Sequence, residues 1–473
     1  MKKLILFPVL MGCIHGVYGR ADLDQYKIEW RQQSENSSGS MPCGGGDVGL
    51  NVWTENNDVL FYISRSNTFD ENNALLKLGR IRLTLEPALF GASDFRQVLN
   101  PENGTVTIYG GGAELTIRTD VFHPVVQLSL KSKTPVALKA TYENWRFTDF
   151  TPNKQEFRSN SYKFPRKEFD VKTYRDSVME LSSGICFFHR NRNDVESVFD
   201  VSVRLQGLDA VKDSLHDPIR NRTFGGLLTG DGFIQAGDSE GIYQDTPFRA
   251  KSICSDRPRR NHELNLYLHT ACTNTTEEWK KGLQQVANRS EQTRQMSWKH
   301  TEAWWKEYWN RSYIAISGDT ASAKWQVGRN YQLFRFMLGC NAYGEYPTKF
   351  NGGLFTFDPI FVKPDTPGTP DFRYWGGGTM TAQNQRLVYW PMLKNGDIEL
   401  MKPQFEFYQR SLRTAEIRSE FYWNHKGACF TEQIENFGLP NIAEYGYGKP
   451  NRYDKGMEYN KWLEYQWETI LEF

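Results

Sequence analysis

The first half of the chain alternates apolar and polar residues with a period of two, which is the pattern of half-buried β-strands. The alternation is clear in four runs, at residues 81–85, 126–130, 201–205 and 264–268. Clusters of Asn, Pro and Gly separate such runs along the chain. Many strands joined by turns of this kind are typical of antiparallel sheets, so we predict a β-sandwich domain over residues 21–275.

The apolar pattern changes to a helical period after Thr275. Trp279, Leu283 and Val286 are spaced i, i+4 and i+7, and further tryptophans continue the stripe among charged residues. Such a stripe is far more often a packing surface than a ligand site. We therefore predict a helical linker over residues 276–317, whose tryptophans pack the sandwich against the region that follows.

Residues 318–473 are predicted to be helical, with long connections between the helices. Two apolar stripes are predicted to face the core of this region, namely Val327, Tyr331, Phe334 and Leu338, and then Ile398, Met401, Phe405, Tyr408 and Leu412. A last helical pattern runs from Tyr459 towards Phe473 without a C-cap signal. We therefore expect this chain to be a fragment of a longer protein.

The N-terminus has the composition of an export signal. Lys2 and Lys3 precede an apolar run over residues 4–14, and small residues follow. That run is too short for a permanent membrane anchor, so we predict a signal peptide over residues 1–20 and an exported, periplasmic product. Cys13, after Leu-Met-Gly, makes a lipid anchor the alternative. No other apolar run is long enough to predict a membrane span.

Charge balance and motif content exclude several classes of function. Lys and Arg number 57 against 56 Asp and Glu, so no overall field attracts nucleic acid. No C-x-x-C, H-E-x-x-H or phosphate-binding loop occurs. We therefore predict no metal and no cofactor, and we leave the oligomeric state open.

The stretch from Asn341 to Trp390 is the first candidate site, because two Gly- and Pro-rich turns lie among aromatic residues. Polar and aromatic candidates for ligand binding in this stretch are Lys349, Asn351, Asp358, Asp371, Arg373, Trp375, Asn384 and Trp390. Aromatic walls with a few fixed polar groups suit a sugar, whose C–H faces stack on rings and whose hydroxyls need hydrogen bonds. The alternative is an irregular connection that packs its aromatic residues into the core.

A second candidate stretch, residues 424–445, carries carboxylates among Gly and aromatic residues. Glu432 lies between Phe430 and Ile434, and an apolar setting raises the pKa of a carboxyl towards the value that a general acid needs. Glu435 is the alternative acid, and His425 is a candidate substrate-binding residue. The alternative is an ordinary surface loop with solvated carboxylates.

Several stretches resemble known families. MPCGGGDVGLNVW, KFNGGLFTFD and WGGGTMTAQNQRLVYW resemble Bacteroidetes proteins grouped as domain of unknown function 5703, which are similar to six-hairpin glycosidases, and this resemblance covers essentially the whole chain after the signal peptide. Residues 42–52 resemble the motif that opens the β-sandwich of glycoside hydrolase family 95, the α-L-fucosidases, and residues 384–390 resemble a barrel segment of that family. The order of sandwich, linker and helices is similar to families 95 and 65, which implies a partial (α/α)6 barrel over residues 318–473.

The resemblance also implies roles for individual residues. It implies an inverting reaction in which Glu432, on the pattern G-A-x-F-x-E, is the general acid, with Glu435 as the alternative. Asn384 matches one of two asparagines that place the attacking water in family 95, whereas Ala382 replaces the other, so fucose specificity is not implied. The base in such barrels usually comes from later helices, which we expect this chain to lack.

The function predicted from these features is that of an exported glycoside hydrolase-like protein acting on an oligo- or polysaccharide. A non-catalytic glycan-binding protein or an inactive fragment is the first alternative. A polysaccharide lyase is the second, because lyases also combine helical toroids with β-sandwiches. A phosphorylase, as in parts of family 65, is the third.

Overall fold

The computed structural model describes residues 23–365 and 368–445. Fifteen strands form one antiparallel sheet that folds into two layers. The strands are β1 Ile28–Trp30, β2 Met41–Gly45, β3 Val48–Glu55, β4 Asp58–Arg65, β5 Arg80–Glu86, β6 Arg96–Asn100, β7 Thr105–Gly110, β8 Ala113–Thr119, β9 Val125–Asn144, β10 Ser177–Leu181, β11 Gly184–Arg190, β12 Arg222–Thr229, β13 Phe233–Tyr243, β14 Thr246–Ser255 and β15 Arg259–Cys272. The predicted signal peptide and the helical pattern after Tyr459 lie outside the described residues.

The long strand β9 belongs to both layers. Its first half pairs with β8 and β15, so that Leu128 lies opposite Ile117 and Leu264. Its second half pairs with β5 and β14, so that Tyr142 lies opposite Ile81 and Lys251. One layer has the order β1-β6-β7-β8-β9-β15-β12-β11-β10, and the other runs β2-β3-β4-β5-β9-β14-β13. Because one strand runs through both sheets, their relative position is set by a continuous backbone.

The core lies between the two layers and confirms the predicted antiparallel β-sandwich. Leu50, Ile63 and Ile81 of one layer share a single buried cluster with Ile117 and Leu128 of the other. These side chains are at most 1% exposed. Full burial of an aliphatic side chain contributes about 1.5–3 kcal/mol, so this cluster is the main source of stability for the sandwich.

One run predicted as a strand is a helix. Residues 201–205 lie in α1, Val198–Leu205, which starts at a capping box in which Ser197 and Asp200 each bind the other's backbone N–H. The helix packs against Phe437 and its neighbours, which cover most of its surface. Because Val201 and Val203 are both buried on this enclosed helix, their alternation imitated a strand.

The predicted helix after Thr275 is confirmed as α2, Thr276–Arg311. The Thr275 hydroxyl caps it by accepting the N–H of Glu278 at 3.2 Å. Trp279 packs beside Phe188 of the sandwich, and Trp309 donates from Nε1 to the carbonyl of Pro101 at 2.8 Å. The tryptophan stripe therefore packs the helix against the first layer.

Four more helices follow α2, and a complete (α/α)6 barrel is not present in the described residues. They are α3 Ala323–Gly339, α4 Ala382–Asn395, α5 Lys402–Trp423 and α6 Ile442–Tyr445. A two-stranded pair, β16 Met380–Thr381 and β17 Gln433–Ile434, joins the connection before α4 to the one after α5. In the part of the chain that the structure describes, no helix is both long and apolar enough to cross a bilayer.

The predicted apolar faces of α3 and α5 are only partly correct. Val327 on α3 is 63% exposed, whereas Arg335 of the same helix is buried and pairs with Asp397 at 3.0 Å. Ile398 and Leu412 are also exposed. The buried faces of these helices include polar and charged residues that are paired inside the protein, and a purely apolar periodicity does not detect them.

A chain of buried ionic groups links the sandwich to the connection before α4. Arg146, which follows β9, pairs with Asp176 at 2.8 Å and with Asp371 at 2.7 Å. Asp176 also contacts His189 Nδ1 at 2.9 Å, and Glu71 lies 3.6 Å from His189 Nε2. Burial opposes the charge on His189, but hydrogen bonding and attraction from Asp176 and Glu71 raise the pKa of His189 to about 10.

We predict that His189→Gln destabilises the protein in a pH-dependent way. A raised histidine pKa stabilises the folded state most below the unfolded value of 6.5, and this contribution is lost as the pH rises through about 10. Removing the buried cation leaves Asp176 and Glu71 less compensated, so we expect a loss of about 3 kcal/mol at pH 6. Urea unfolding at pH 6 and pH 10 measures the difference from wild type, which should shrink at pH 10.

The exposed His300 provides the matched control. His300→Gln should leave the free energy of unfolding unchanged at both pH values. An equal loss at pH 6 and pH 10 for His189→Gln would show that His189 contributes packing and not charge.

Candidate functional site

The candidate site lies where three connections meet. They are residues 145–176 between β9 and β10, residues 340–379 between α3 and β16, and residues 424–441 between α5 and α6. Glu435 joins all three, because it accepts hydrogen bonds from Ser161, Thr379 and Asn441. The predicted candidate stretches are therefore neighbours in space.

Glu432 is buried at the start of α4. Its Oε1 accepts the N–H of Gln383 at 3.2 Å, and its backbone carbonyl accepts the N–H of Ala382 at 3.0 Å. Its side chain also faces Tyr408 of α5, where burial and then the nearby Glu432 charge raise the pKa of the phenol. The first N–H groups of a helix attract a carboxylate, so α4 holds this group at a defined position.

Glu435 is fully buried and surrounded by neutral donors. It accepts from Asn73 Nδ2 at 2.8 Å, from Ser161 Oγ at 2.6 Å and from Thr379 Oγ1 at 3.0 Å. Asn441 Nδ2 is a fourth donor. Because these donors come from the sandwich and from two later connections, Glu435 holds the three segments together.

Lys349 lies beside this carboxylate and is buried. Its Nζ donates to the carbonyl of Thr379. Burial and then repulsion from Arg373 lower the pKa of Lys349 to about 7, although Glu435 acts in the opposite direction. The Lys349 amino group is therefore protonated in about half of the molecules at neutral pH.

Asn351 and Arg373 hold the backbone of the connection before α4. Arg373 Nη1 donates to the carbonyl of Asn351 at 2.9 Å. Asn351 Nδ2 in turn donates to the carbonyls of Tyr374 and, at 3.2 Å, Trp375. Burial lowers the pKa of Arg373 to about 10.

An aromatic platform, formed by Phe164, Tyr374 and Trp375, is open to solvent. The three side chains are 44%, 41% and 44% exposed. The Arg158 guanidinium lies 5.5, 5.2 and 5.6 Å from the three ring centres, within the range of cation–π attraction. Trp375 has a φ of +56°, a conformation that non-glycine residues adopt mainly where the surroundings impose it.

Two predicted ligand-binding carboxylates attach the candidate site to the sandwich. Asp371 accepts from the Lys77 N–H, from Trp145 Nε1 and from Arg146 Nη1, each at 2.7 Å. Asp358 accepts from Tyr62 OH at 2.8 Å and from Ser37 Oγ. Both groups are placed where they fix the connection in position.

The remaining predicted residues lie towards solvent. Asn384 is half-buried on the first turn of α4. It directly follows Gln383, whose backbone N–H binds Glu432. Trp390 is 52% exposed on the same helix, with the Arg386 guanidinium 5.7 Å from its ring centre. His425 is exposed beyond α5 and stacks on Trp423.

Sequence reasoning did not identify the part of the site that the sandwich supplies. Arg158, Phe164, Ser161 and Lys77 were all overlooked. A signal was present, because residues 145–176 form an unusually long connection rich in aromatic and basic residues, and long loops inside compact domains are commonly functional. In the described ranges, no group of three or more His, Cys, Asp or Glu side chains is arranged to hold a metal ion.

We predict that replacement of Trp375 by Gly is less harmful to stability than replacement by Ala. Both changes remove the ring, but only glycine adopts a φ of +56° without strain, so the Gly variant should be more stable by about 1 kcal/mol. Urea unfolding of the two variants measures this difference. At Tyr374, which is not among the positive-φ residues, the order should reverse. Equal stability of the two Trp375 variants would show that the backbone conformation at this position is not strained.

Comparisons with known proteins identify the family. The model of a family described as "Domain of unknown function (DUF5703)" matches residues 29–314, which span the β-sandwich and α2. No curated protein matches the chain. A solved structure provisionally described as a kojibiose phosphorylase from human microbiome is 12% identical with a TM-score of 0.43, over 89% of this chain and 53% of that one.

This chain thus spans about half the length of that structure, and a likeness of this size carries no functional argument. The family match confirms the DUF5703 resemblance for the N-terminal part of the chain, which contains the motif MPCGGGDVGLNVW, and it does not extend to the two motifs after residue 314. It covers more than half of the chain. The chain therefore belongs to the DUF5703 family.

Proposed function

We propose that this protein binds an oligo- or polysaccharide at the aromatic platform and cleaves a glycosidic bond with Glu432 as general acid. The observation that carries the proposal is the placement of a buried carboxylate at the N-terminus of α4, one residue from the half-buried Asn384. The connection that contains Trp375 leads directly into the same helix terminus. The proposed acid, from the connection after α5, therefore contacts the helix start to which the surface suited to sugars is joined.

The chemistry of glycoside hydrolysis supports Glu432 over Glu435 as the acid. Cleavage requires a carboxyl group that protonates the leaving oxygen, and this group must reach the substrate. Glu435 is 0% exposed and accepts hydrogen bonds from four side chains, so its oxygens are committed to the protein. Glu432 is 6% exposed and lies at a helix start that faces the connection.

Asn384 and the platform supply the other parts of the proposed reaction. The Asn384 amide orients the attacking water, in keeping with the inverting reaction that the resemblance implies. The Trp375 ring stacks on a sugar face, because its exposed apolar surface matches the C–H face of a pyranose. We assign no base within residues 23–365 and 368–445. The predicted signal peptide extends the proposal to action outside the cytoplasm.

A non-catalytic glycan-binding protein is the second candidate function. It is favoured by the structural engagement of Glu435, Asp371 and Asp358, which leaves fewer carboxylates for a two-carboxylate reaction. In that function the aromatic platform is retained and Glu432 serves only as a helix cap. The two functions differ in whether the bound glycan is cleaved.

We predict that Glu432→Gln abolishes glycan cleavage without unfolding the protein. The Gln oxygen still accepts the Gln383 N–H, but the side chain carries no acidic proton, so turnover should fall by about 10²–10⁴-fold. The measurement is the release of reducing ends from a panel of plant, host and microbial polysaccharides. Product anomers followed by NMR report whether the reaction inverts configuration.

Glu435→Gln is the matched control on the neighbouring carboxylate. The substitution replaces one acceptor oxygen of Glu435 with an amide NH₂ group, which cannot accept hydrogen bonds from the surrounding donors. We therefore expect a loss of stability of about 2 kcal/mol or more. Turnover of the folded fraction should change far less than for Glu432→Gln. Unchanged turnover in Glu432→Gln would reject the acid assignment. Binding without cleavage by the wild-type protein would favour the non-catalytic function.

A further inference from the structure

The buried arginines of this protein are, as a rule, paired with carboxylates. Arg80 pairs with Glu143, Arg146 with Asp176 at 2.8 Å, and Arg335 with Asp397 at 3.0 Å. Such pairing is the usual condition for burying a charge, because an isolated ion in the interior is very costly. A buried cation without a carboxylate partner is therefore an exception that needs a cause.

Three buried cations at the candidate site are exceptions. Lys77, Lys349 and Arg373, here termed the cationic cluster, are between 3% and 5% exposed. None of them forms an ion pair with a carboxylate of the described residues. Their side chains donate only to neutral acceptors, which are Thr356 Oγ1 and the carbonyls of Thr379 and Asn351. Arg373 Nε is buried without any hydrogen-bond partner.

The members of the cationic cluster act on one another. Burial and then repulsion from Arg373 lower the pKa of Lys77 to about 7, although Asp371 and Asp358 attract the Lys77 proton and Arg146 repels it. Lys349 is shifted in the same way, with Glu435 attracting its proton and Lys163 repelling it.

The carboxylates that face the cluster cannot satisfy its unused donors. Asp371 accepts from Arg146 and Trp145, and Asp358 accepts from Tyr62 and Ser37. Glu435 accepts from four neutral side chains. The fork of Arg373 and the remaining lysine donors therefore have the chemistry of a site that takes an oxyanion from outside the protein.

Arg373 of the cluster lies beside an exposed turn. Gly352 in this turn is exposed and has a φ of +102°. A Cβ atom at Gly352 would lie 3.8 Å from Arg373 Nη1. The guanidinium therefore lies close to an exposed position of the backbone. The turn is bound to the aromatic platform through the hydrogen bond from Asn351 to the Trp375 carbonyl.

We propose that the glycan bound here carries an anionic group, a uronate carboxylate or a sulfate ester, and that the cationic cluster binds this group while Trp375 stacks on the sugar ring. The proposal rests on the proposed function, since it names the substrate class of the same site. Arg373 supplies a planar fork that matches either oxyanion. Lys77 and Lys349 add charge once they are protonated.

Calorimetric binding of three probes tests the proposal. The probes are tetragalacturonate, a sulfated galactan tetrasaccharide and the neutral cellotetraose. We expect wild-type protein to bind one or both acidic probes at least tenfold more tightly than cellotetraose. The acidic probe that binds more tightly distinguishes a carboxylate from a sulfate ester. Equal affinity for acidic and neutral probes would overturn the anionic class and leave the proposed function standing.

Variants identify the groups responsible. Arg373→Met should weaken acidic-probe binding at least tenfold, and Arg373→Lys, which keeps the charge and loses the fork, should weaken it less. Lys394→Met removes one exposed charge on α4 and should have no effect. Trp375→Ala should weaken binding of acidic and neutral probes alike. Loss of acidic-probe binding in Lys394→Met equal to that in Arg373→Met would reject the site.

The pH dependence of the unmodified protein provides a test that needs no variant. The two lysines bind an anion only when protonated, so affinity for the acidic probe should fall by roughly tenfold or more between pH 6 and pH 8.5. Affinity for any neutral probe should not follow this trend. A flat profile for the acidic probe would reject the role of the lysines. Failure of every glycan to bind would overturn the proposed function together with this inference.

Discussion

The position of the candidate site depends on one buried ionic contact, that between Arg146 and Asp371. Arg146 lies two residues after β9, the strand that belongs to both layers of the sandwich, and Asp371 begins the segment that carries Arg373 and Trp375. Asp371 also accepts from Trp145 and from the Lys77 backbone. A buried carboxylate with three donors is strongly held, since loss of any partner leaves a desolvated charge uncompensated. The sandwich thereby sets where the segment that carries Arg373 and Trp375 lies.

The two glutamates of the connection after α5 show how environment separates residues of the same type. Glu435 is surrounded by neutral donors from three segments and acts as a junction. Glu432, three positions earlier, receives the backbone N–H of Gln383 at the start of a helix. The short pairing of β16 with β17 lies between them, because β17 is Gln433–Ile434 and Glu432 and Glu435 are at its two ends.

The site combines features that are unfavourable for folding. Trp375 has a backbone conformation that favours glycine, and three cations are buried without carboxylate partners. Each feature lowers the stability of the folded protein, and the extensive apolar core between the two layers offsets this loss. Strained and uncompensated groups persist where surrounding contacts fix the chain in place, as the buried ion pairs from His189 to Asp371 do here.

The sequence by itself determined the antiparallel β-sandwich with helices after it, and it indicated the segments that meet at the candidate site. Alternation at residues 81–85, 126–130 and 264–268 identified real strands, because each has one face on the core and one towards polar surroundings. The tryptophan stripe identified α2 because one side of this helix is buried and the other is not. The two stretches rich in glycine and aromatic residues, 341–390 and 424–445, contain connections that meet in space.

Only the tertiary structure decided which residues face the site. Val201 and Val203 lie on a helix enclosed by other segments, so the alternation around them did not indicate a strand. Asp358 and Asp371 became anchors because their partners, Tyr62 and Arg146, come from strands and loops more than 200 positions away. Arg158, Phe164 and Lys77 joined the site from the sandwich side for the same reason. Contacts between distant segments arise from the packing of whole layers, and no local spacing in the chain records them.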